Sequence, residues 1–490
     1  MTDLSKRPGR SPVPPDWTYA PAPESREIVT LQDRYGLFIG GKWAEPRSGE
    51  HFATISPSSE ETLAEVAQAG PEDVARAVAA ARKAHKSWAK LPGSERAKYL
   101  FRIARILQER AREFAVLESL NGGKPIKESR DVDLPLAAAH FFYYAGWADK
   151  LEYAFPNRSV RPLGVAGQII PWNFPLLMLS WKIAPALAAG NTVVLKPAET
   201  TPLTALLFCD VVRQAELPPG VINIVTGDGR TGAALVDGEV DKIAFTGSTE
   251  VGKAIQRRLA GSGKKVTLEL GGKAANIVFD DAALDQAVEG IVNGIYFNQG
   301  HVCCAGSRLF VQESVAEAVV DKLKRRMETL RVGDPLDKNT DVGAINSRAQ
   351  LEKIQELVAA GSDEGAEIYQ PPCRLPEQGY WFAPTVFTNV AQSYRIAQEE
   401  IFGPVLSVLT FRTPEEAIEK ANNTPYGLSA GVWTEKGSRI LWMAECLRAG
   451  VVWANTFNRF DPASPFGGYK ESGFGREGGL HGLAPYLGTE

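Results

Sequence analysis

Two cysteines stand side by side, Cys303 and Cys304, inside "FNQGHVCCAGSR" (297–308), in a chain that holds only five; the others are Cys209, Cys373 and Cys446. A structural cysteine hides in apolar company, whereas this pair sits in a run of Gly, Asn, Gln, His and Ser, where exposure and polar donors favour the thiolate that attacks electrophiles. On this segment alone a nucleophile and an inert thiol are equally open. Upstream, "KKVTLELGGK" (264–273) alternates Val266, Leu268 and Leu270 onto one strand face. Thr267 and Glu269 therefore point the other way, and Glu269 emerges at the strand end beside two glycines that permit close approach. A carboxylate there is either a general base or a solvated strand terminus. "PWNFP" (171–175) sets one amide, Asn173, between Trp172 and Phe174. An amide hydrogen in an apolar wall can hold an oxyanion, although aromatic residues at a strand end are usually core. In "FTGSTEVG" (245–252) a strand turns through Gly247 and Ser248 into a helix. Its free backbone N–H groups suit a phosphate, but GxGxxG is absent and a simple helix cap explains the pattern equally well.

The elements around these residues must bring distant segments together. From about residue 164, short β-branched runs alternate with helical stretches: "VAGQII", "TVVLKP", "VINIVTG" and "KIAFTGS" as strands, "LLMLSWKIAPALAAG", "TPLTALLFCDVVRQAE" and "TEVGKAIQRRLAG" as helices. Near-continuous apolar strands separated by helices predict a parallel α/β sheet covered on both faces, of the nucleotide-binding type. A second alternating series runs from "ANIVFDD" (275–281) through "SRLFVQ", "TVFTNV" and "PVLSVLTF" to about residue 475. The twin glycines of "ELGGK" (269–273) mark a boundary between the two series. Residues 1–140 are less legible; they hold a "LFIGGKWAE" hairpin signal and helical stretches around 71–90 and 94–120.

Composition narrows the function classes. A chain of 490 residues suits roughly two to four domains, and Lys+Arg 54 against Asp+Glu 58 gives a net charge of -4, without the basic footprint of a nucleic-acid binder. Adjacent cysteines and an odd count make a poor disulfide framework and point to a reducing compartment, read here as the cytoplasm. The Pro-rich N-terminus (1–30) reads as a flexible tail without a secretory apolar run. The longest apolar stretch, "PLLMLSWKIAPALAAGNTVVL", is broken by Lys182, Pro185 and Asn191 and reads as a buried helix feeding a strand rather than a membrane span. No metal-ligand cluster is expected.

Taken in order, "PWNF", "FTGSTEVG", "LELGGK" and "FNQGxxCxAGSR", followed by "EEIFGPV" (399–405) and "PFGGYKESGFGRE" (465–477), resemble the NAD(P)-dependent aldehyde dehydrogenase superfamily, from about Leu37 to the end. The resemblance selects Cys303 as nucleophile, three residues after the glycine of "FNQG", and makes Cys304 a neighbour. It implies that Asn173 and the Cys303 backbone hold the oxyanion, that Glu269 activates water to hydrolyse a thioester, and that Lys182 lines the site. It further implies that Lys196 and Glu199 of "KPAE" bind the adenosine ribose. Glu199 would repel a 2′-phosphate, so NAD is expected and NADP disfavoured. Trp172, Gly247 and Ser248 would meet the cofactor; Glu400 and Phe402 would hold the nicotinamide ribose and ring. Phe174, Met178, Trp181, Phe297 and Phe460 would line the aldehyde tunnel. The implied fold is a Rossmann-like cofactor domain (31–140 and 162–271) plus an α/β catalytic domain (272–477), joined by a shortened oligomerisation arm (141–161 and 478–490).

Three features depart from that pattern. His301 stands where the family commonly has Gln. Only residues 151–161 separate "YYAGWADK" from "PLGV", too few for the long oligomerisation hairpin of many members, and the chain ends "GLAPYLGTE" without their β-rich tail. The expected assembly is therefore a homodimer rather than a dimer of dimers, or a complex in which a partner chain supplies a strand. Two rival functions stay open: a CoA-acylating dehydrogenase, against which Glu269 argues, and a catalytically silent scaffold.

Overall fold

The computed structural model describes residues 20–489. The expected tail lies outside the described residues over 1–19, but residues 20–30 are anchored: Glu24 is buried, its backbone N–H donates to Leu336, and its carboxylate pairs with Arg112 and Lys338.

One sheet has eight strands. Its centre is parallel, in the spatial order Lys265–Glu269, Lys242–Thr246, Val165–Ile169, Thr192–Lys196, Ile222–Ile224. The middle three are buried at every position, which is why they read as unbroken apolar runs. The hairpin Leu37–Ile39/Lys42–Ala44 closes one edge and the two-residue strand Gly473–Phe474 closes the other, antiparallel to Lys265–Glu269. This order places a topological switch between Val165–Ile169 and Lys242–Thr246, so the crevice outside their carboxyl ends opens between Trp172 and Gly247.

The other large sheet has seven strands, in the order Glu367–Tyr369, Thr385–Thr388, Val405–Phe411, Arg308–Gln312, Ala275–Val278, Ser429–Trp433, Val451–Ala454, parallel apart from the first. The chain leaves the first sheet at Glu269 and enters the second at Ala275, across the twin glycines. Helix Pro175–Ala188 is buried along its whole length and packs on helices Leu134–Trp147 and Gly93–Glu109. The first of these runs unbroken through residue 141, with Phe141 and Tyr144 in the core. Beyond it the arm is brief: strand Val160–Pro162 pairs antiparallel with Leu487–Thr489 of the same chain. The C-terminal segment thus contributes a short strand that its sequence does not announce.

Candidate active site

The cysteine loop is built by an unusual backbone. Asn298, Gln299 and Gly300 all adopt left-handed conformations, with φ of 48°, 53° and 74°. Such a run costs energy for residues with a Cβ, so side chains must hold it. Gln299 donates to the Gly123 and Ala344 carbonyls and accepts from Gly343 N–H. Asn298 N–H donates to the Glu128 carboxylate at 2.8 Å, and Asn298 Nδ2 donates to the Asn173 carbonyl at 2.8 Å. Gly300 is required by space as well: a Cβ there would stand 2.0 Å from the Gly403 carbonyl oxygen. Asn173 donates from Nδ2 to the His301 carbonyl at 2.8 Å. Its second amide hydrogen is left for another acceptor.

Cys303 ends this loop half-buried, whereas Cys304 is buried with its carbonyl bonded to Ser429 Oγ. The Cys303 thiol is raised well above the usual cysteine range, first by the Cys304 thiol beside it, then by burial and by Glu400. The sequence setting suggested the opposite. Asn298 and Gln299 turn their amides to backbone carbonyls rather than to the sulfur, and the resting thiol keeps its proton.

Glu269 stands at the end of its strand as the alternation predicts: Leu268 and Leu270 pack into the apolar core of the other face. It is not solvated. Only 4% of it is exposed, and neither carboxylate oxygen has a hydrogen-bond partner among the described residues. Burial pushes its carboxyl well above the usual range, Glu477 and Cys303 push the same way, and Lys182 opposes them. The glycines that follow admit two close approaches. A Cβ at Gly271 would stand 2.3 Å from Glu400 Oε2, and one at Gly272 would stand 2.4 Å from the Cys303 carbonyl oxygen.

These groups share one cavity of about 870 Å³. Cys303, Asn173 and Glu269 line it, and so do Trp172, Gly247, Ser248, Glu400 and Phe402 on the side of the switch-point strands. Phe174 and Phe297 stack at 6.2 Å on the remaining wall, with Met178 near them. Trp181, Phe460 and Phe466 form an edge-to-face cluster that completes it.

The sequence model for the aldehyde dehydrogenase family matches residues 43–490. The chain belongs to the aldehyde dehydrogenase family. It is 47% identical to the putative aldehyde dehydrogenase DhaS of Bacillus subtilis, over 93% of this chain and 94% of that protein. Human retinal dehydrogenase 2 is 46% identical, over 92% and 90%. Among solved structures, the NAD+ complex of an aldehyde dehydrogenase from Bacillus cereus is 43% identical with a TM-score of 0.91, covering 94% of this chain and 96% of that one.

Within this aldehyde dehydrogenase, three expected site residues lie off the cavity wall. Lys182 is buried behind it, paired with Glu477. Lys196 and Glu199 sit at the end of strand Thr192–Lys196, where Nζ donates to Glu199 Oε2 at 3.3 Å; burial lowers the Lys196 ammonium and Glu199 opposes the shift. The crevice fits a dinucleotide on its own chemistry. Ser248 caps helix Thr249–Leu259, whose first N–H groups face anions favourably. Glu400 takes the Gly272 N–H at 2.9 Å and burial raises its carboxyl to about 7. Phe402 is held at φ 57°, a strained position for an aromatic residue, and its ring meets Trp172 edge-on at 5.2 Å. His301 stacks on Phe402, is neutral because burial drives its imidazole down to about 3, and so adds no charge near Cys303.

Sequence reasoning missed Glu477, the buried partner of Lys182, although "PFGGYKESGFGRE" contains it. It also missed Asn298, Gln299 and Glu128, which hold the loop. The polar types of Asn298 and Gln299 inside "FNQG" were the available signal, whereas Glu128 in "KPIKES" (124–129) offered none. Among the described residues no group of three or more potential metal ligands occurs, and no helix is long and apolar enough to cross a membrane.

Proposed function

We propose that the protein oxidises an aldehyde to its carboxylic acid, using NAD, through a covalent intermediate on Cys303. One observation carries this reading: Cys303, Asn173 and Glu269, drawn from three separate segments, open on a single cavity that also borders the switch-point crevice.

Cys303 gives up its proton through the cavity to solvent as its sulfur attacks the carbonyl carbon, and the Asn173 amide with the Cys303 backbone N–H steadies the developing oxyanion. Bound NAD supplies the hydride acceptor that turns the thiohemiacetal into a thioester. Glu269 then takes a proton from water as the oxygen adds to the thioester carbonyl, and Cys303 leaves as thiolate. Ser248 would meet the pyrophosphate, with Gly247 and Trp172 also against the cofactor; Glu400 and Phe402 would hold the nicotinamide ribose and ring, and Lys196 and Glu199 the adenosine ribose. The exposed Glu199 carboxylate disfavours a 2′-phosphate, hence NAD over NADP. The aromatic wall of Phe174, Phe297, Trp181 and Phe460, with Met178, suits medium aliphatic or aromatic aldehydes. In this reading the first sheet belongs to a cofactor domain and the second to a catalytic domain.

We place the enzyme in the cytoplasm on the strength of its five unpaired thiols. We read it as a homodimer. Val251, Tyr469 and Phe474 are exposed in a region tied together by the Thr249–Glu471 bond, and Val451–Ala454 ends its sheet as an edge strand. A partner chain could instead extend the small Val160–Pro162/Leu487–Thr489 sheet; a stable tetramer in light scattering would contradict both.

The test is a panel of aldehydes with NAD or NADP, with and without CoA, followed by NADH absorbance. NAD-dependent turnover without CoA is expected. Turnover that requires CoA, or none with any aldehyde, would overturn the reading.

A further inference from the structure

Behind Glu269, the same face of the first sheet carries a second buried amine that the steps above do not use. Thr246 is in register with Glu269 and Ala244 with Thr267, so Glu269, Thr267 and Lys242 emerge on one side of the sheet. Lys242 is 1% exposed, its Nζ donates to Thr267 Oγ1 at 2.9 Å, and it lies 4.9 Å from the centre of the Tyr486 ring. A hydroxyl partner serves an amine in either protonation state, whereas a carboxylate would fix it charged.

The Lys182–Glu477 pair acts on both ends of this strip. The same two charges bear on Glu269 and on Lys242. Gln168 ties the layers together, donating from Nε2 to the Lys182 carbonyl at 2.7 Å and to the Tyr486 hydroxyl at 3.2 Å. Two carboxyls and two amines, all buried, thus lie on one side of the sheet behind the cavity wall that Glu269 forms, where any state of net charge is costly. Glu269 cannot ionise there by simple loss of a proton without leaving such a charge.

We propose that Lys242 is a positioning residue for thioester hydrolysis, holding on Nζ the proton that Glu269 sheds in order to act as base. The O–H bond at Glu269 breaks and an N–H bond at Lys242 forms, across the Lys182–Glu477 pair, whose own protonation is the same before and after. No net charge is created. The proton that Glu269 later takes from water is the one the oxidation releases to solvent. Burial brings the two affinities together, lowering the Lys242 amine to about 7 and raising the Glu269 carboxyl. The groups facing Lys242 are Thr267 from the neighbouring strand, Lys182 from the covering helix, and Glu477 and Tyr486 from the C-terminal segment; Glu269 also faces Cys303 and Arg476.

This rests on the reading of Glu269 as the hydrolytic base, and the test separates the two. Burst and steady-state rates are measured against pH for Lys242→Met, Lys242→Arg and Thr267→Val, with Glu269→Gln as control. Lys242→Met should keep the acylation burst while the rise of steady-state turnover moves up by a pH unit or more, about a tenfold loss at pH 7. Lys242→Arg, permanently charged, should keep that rise at or below its original pH. Thr267→Val, which removes a hydrogen bond without touching the amine, should displace it in the same direction by less, and it remains informative should the Met variant fail to fold. An unmoved pH rise in these variants, even with a uniformly lower rate, would overturn the proposal. Full steady-state turnover by Glu269→Gln would instead refute the role of Glu269 itself.

Discussion

At the scale of single residues, the division of labour between two adjacent thiols is set by what surrounds each. Cys303 and Cys304 both border the cavity that Glu269 and Asn173 line, but Cys303 is half-buried whereas Cys304 is buried, its sulfur 3.8 Å from Asn458 Oδ1 and its carbonyl bound by Ser429. Cys303→Ser should therefore lose turnover by several orders of magnitude, and Cys304→Ser should keep most of it, in steady-state assays with any accepted aldehyde; the reverse pattern would reassign the nucleophile. Cys303, Glu269 and Asn173 were legible in the sequence because each sits in a short segment whose residue types are odd for its place: a carboxylate at a strand end before two glycines, an amide between aromatics. The protonated resting thiol was not legible. It arises from Cys304, burial and Glu400, and Glu400 is far away in sequence. Glu477 escaped for a related reason, since its partner Lys182 lies on the opposite side of the molecule's sequence and a lone Glu among glycines looks like surface.

At the scale of elements, the long parallel strands declared themselves because burial on both faces demands unbroken apolar runs. The elements that finish the site did not. Gly473–Phe474 is two residues long and carries no periodicity, yet it pairs with Leu268 and Glu269 and fixes the edge from which the carboxylate projects. The left-handed run at 298–300 is equally hidden, because only one of its three residues is glycine. That glycine gives a sharp expectation. Gly300→Ala must place a Cβ against the Gly403 carbonyl at a positive φ, and should cost about 2–4 kcal/mol. Thermal unfolding and the acylation burst should both suffer; a variant with unchanged melting and burst would show that the loop is not clamped as described.

At the scale of the whole molecule, acid tolerance follows from groups that burial holds away from their ordinary protonation. His140 and His301 are neutral in the fold, each driven down to about 3 by burial, while the unfolded chain protonates them near 6.5. The unfolded state thus binds more protons below pH 6.5, and each histidine removes about 1.4 kcal/mol of stability per pH unit as pH falls from there toward 3. Glu118 and Glu128, raised to about 7 and about 8 by burial, act in the opposite sense, gaining stability as pH falls through those values. The difference between variants isolates the histidine. His140→Phe, packed between Trp181 and Tyr144, should gain on the native protein by about that slope in denaturant titrations between pH 6.5 and 5; parallel curves would contradict it. The sequence indicated two sheets and a boundary at the twin glycines, but not how residues 20–140 wrap them, because that packing is helix on helix without chemical markers. The most direct measurement returns to the cavity those sheets enclose. Glu269→Gln protein is mixed with an accepted aldehyde and NAD, digested, and read by tandem mass spectrometry. The account predicts the acyl mass on Cys303. An acyl group on Cys304, or none on either thiol while NADH is still formed, would contradict it.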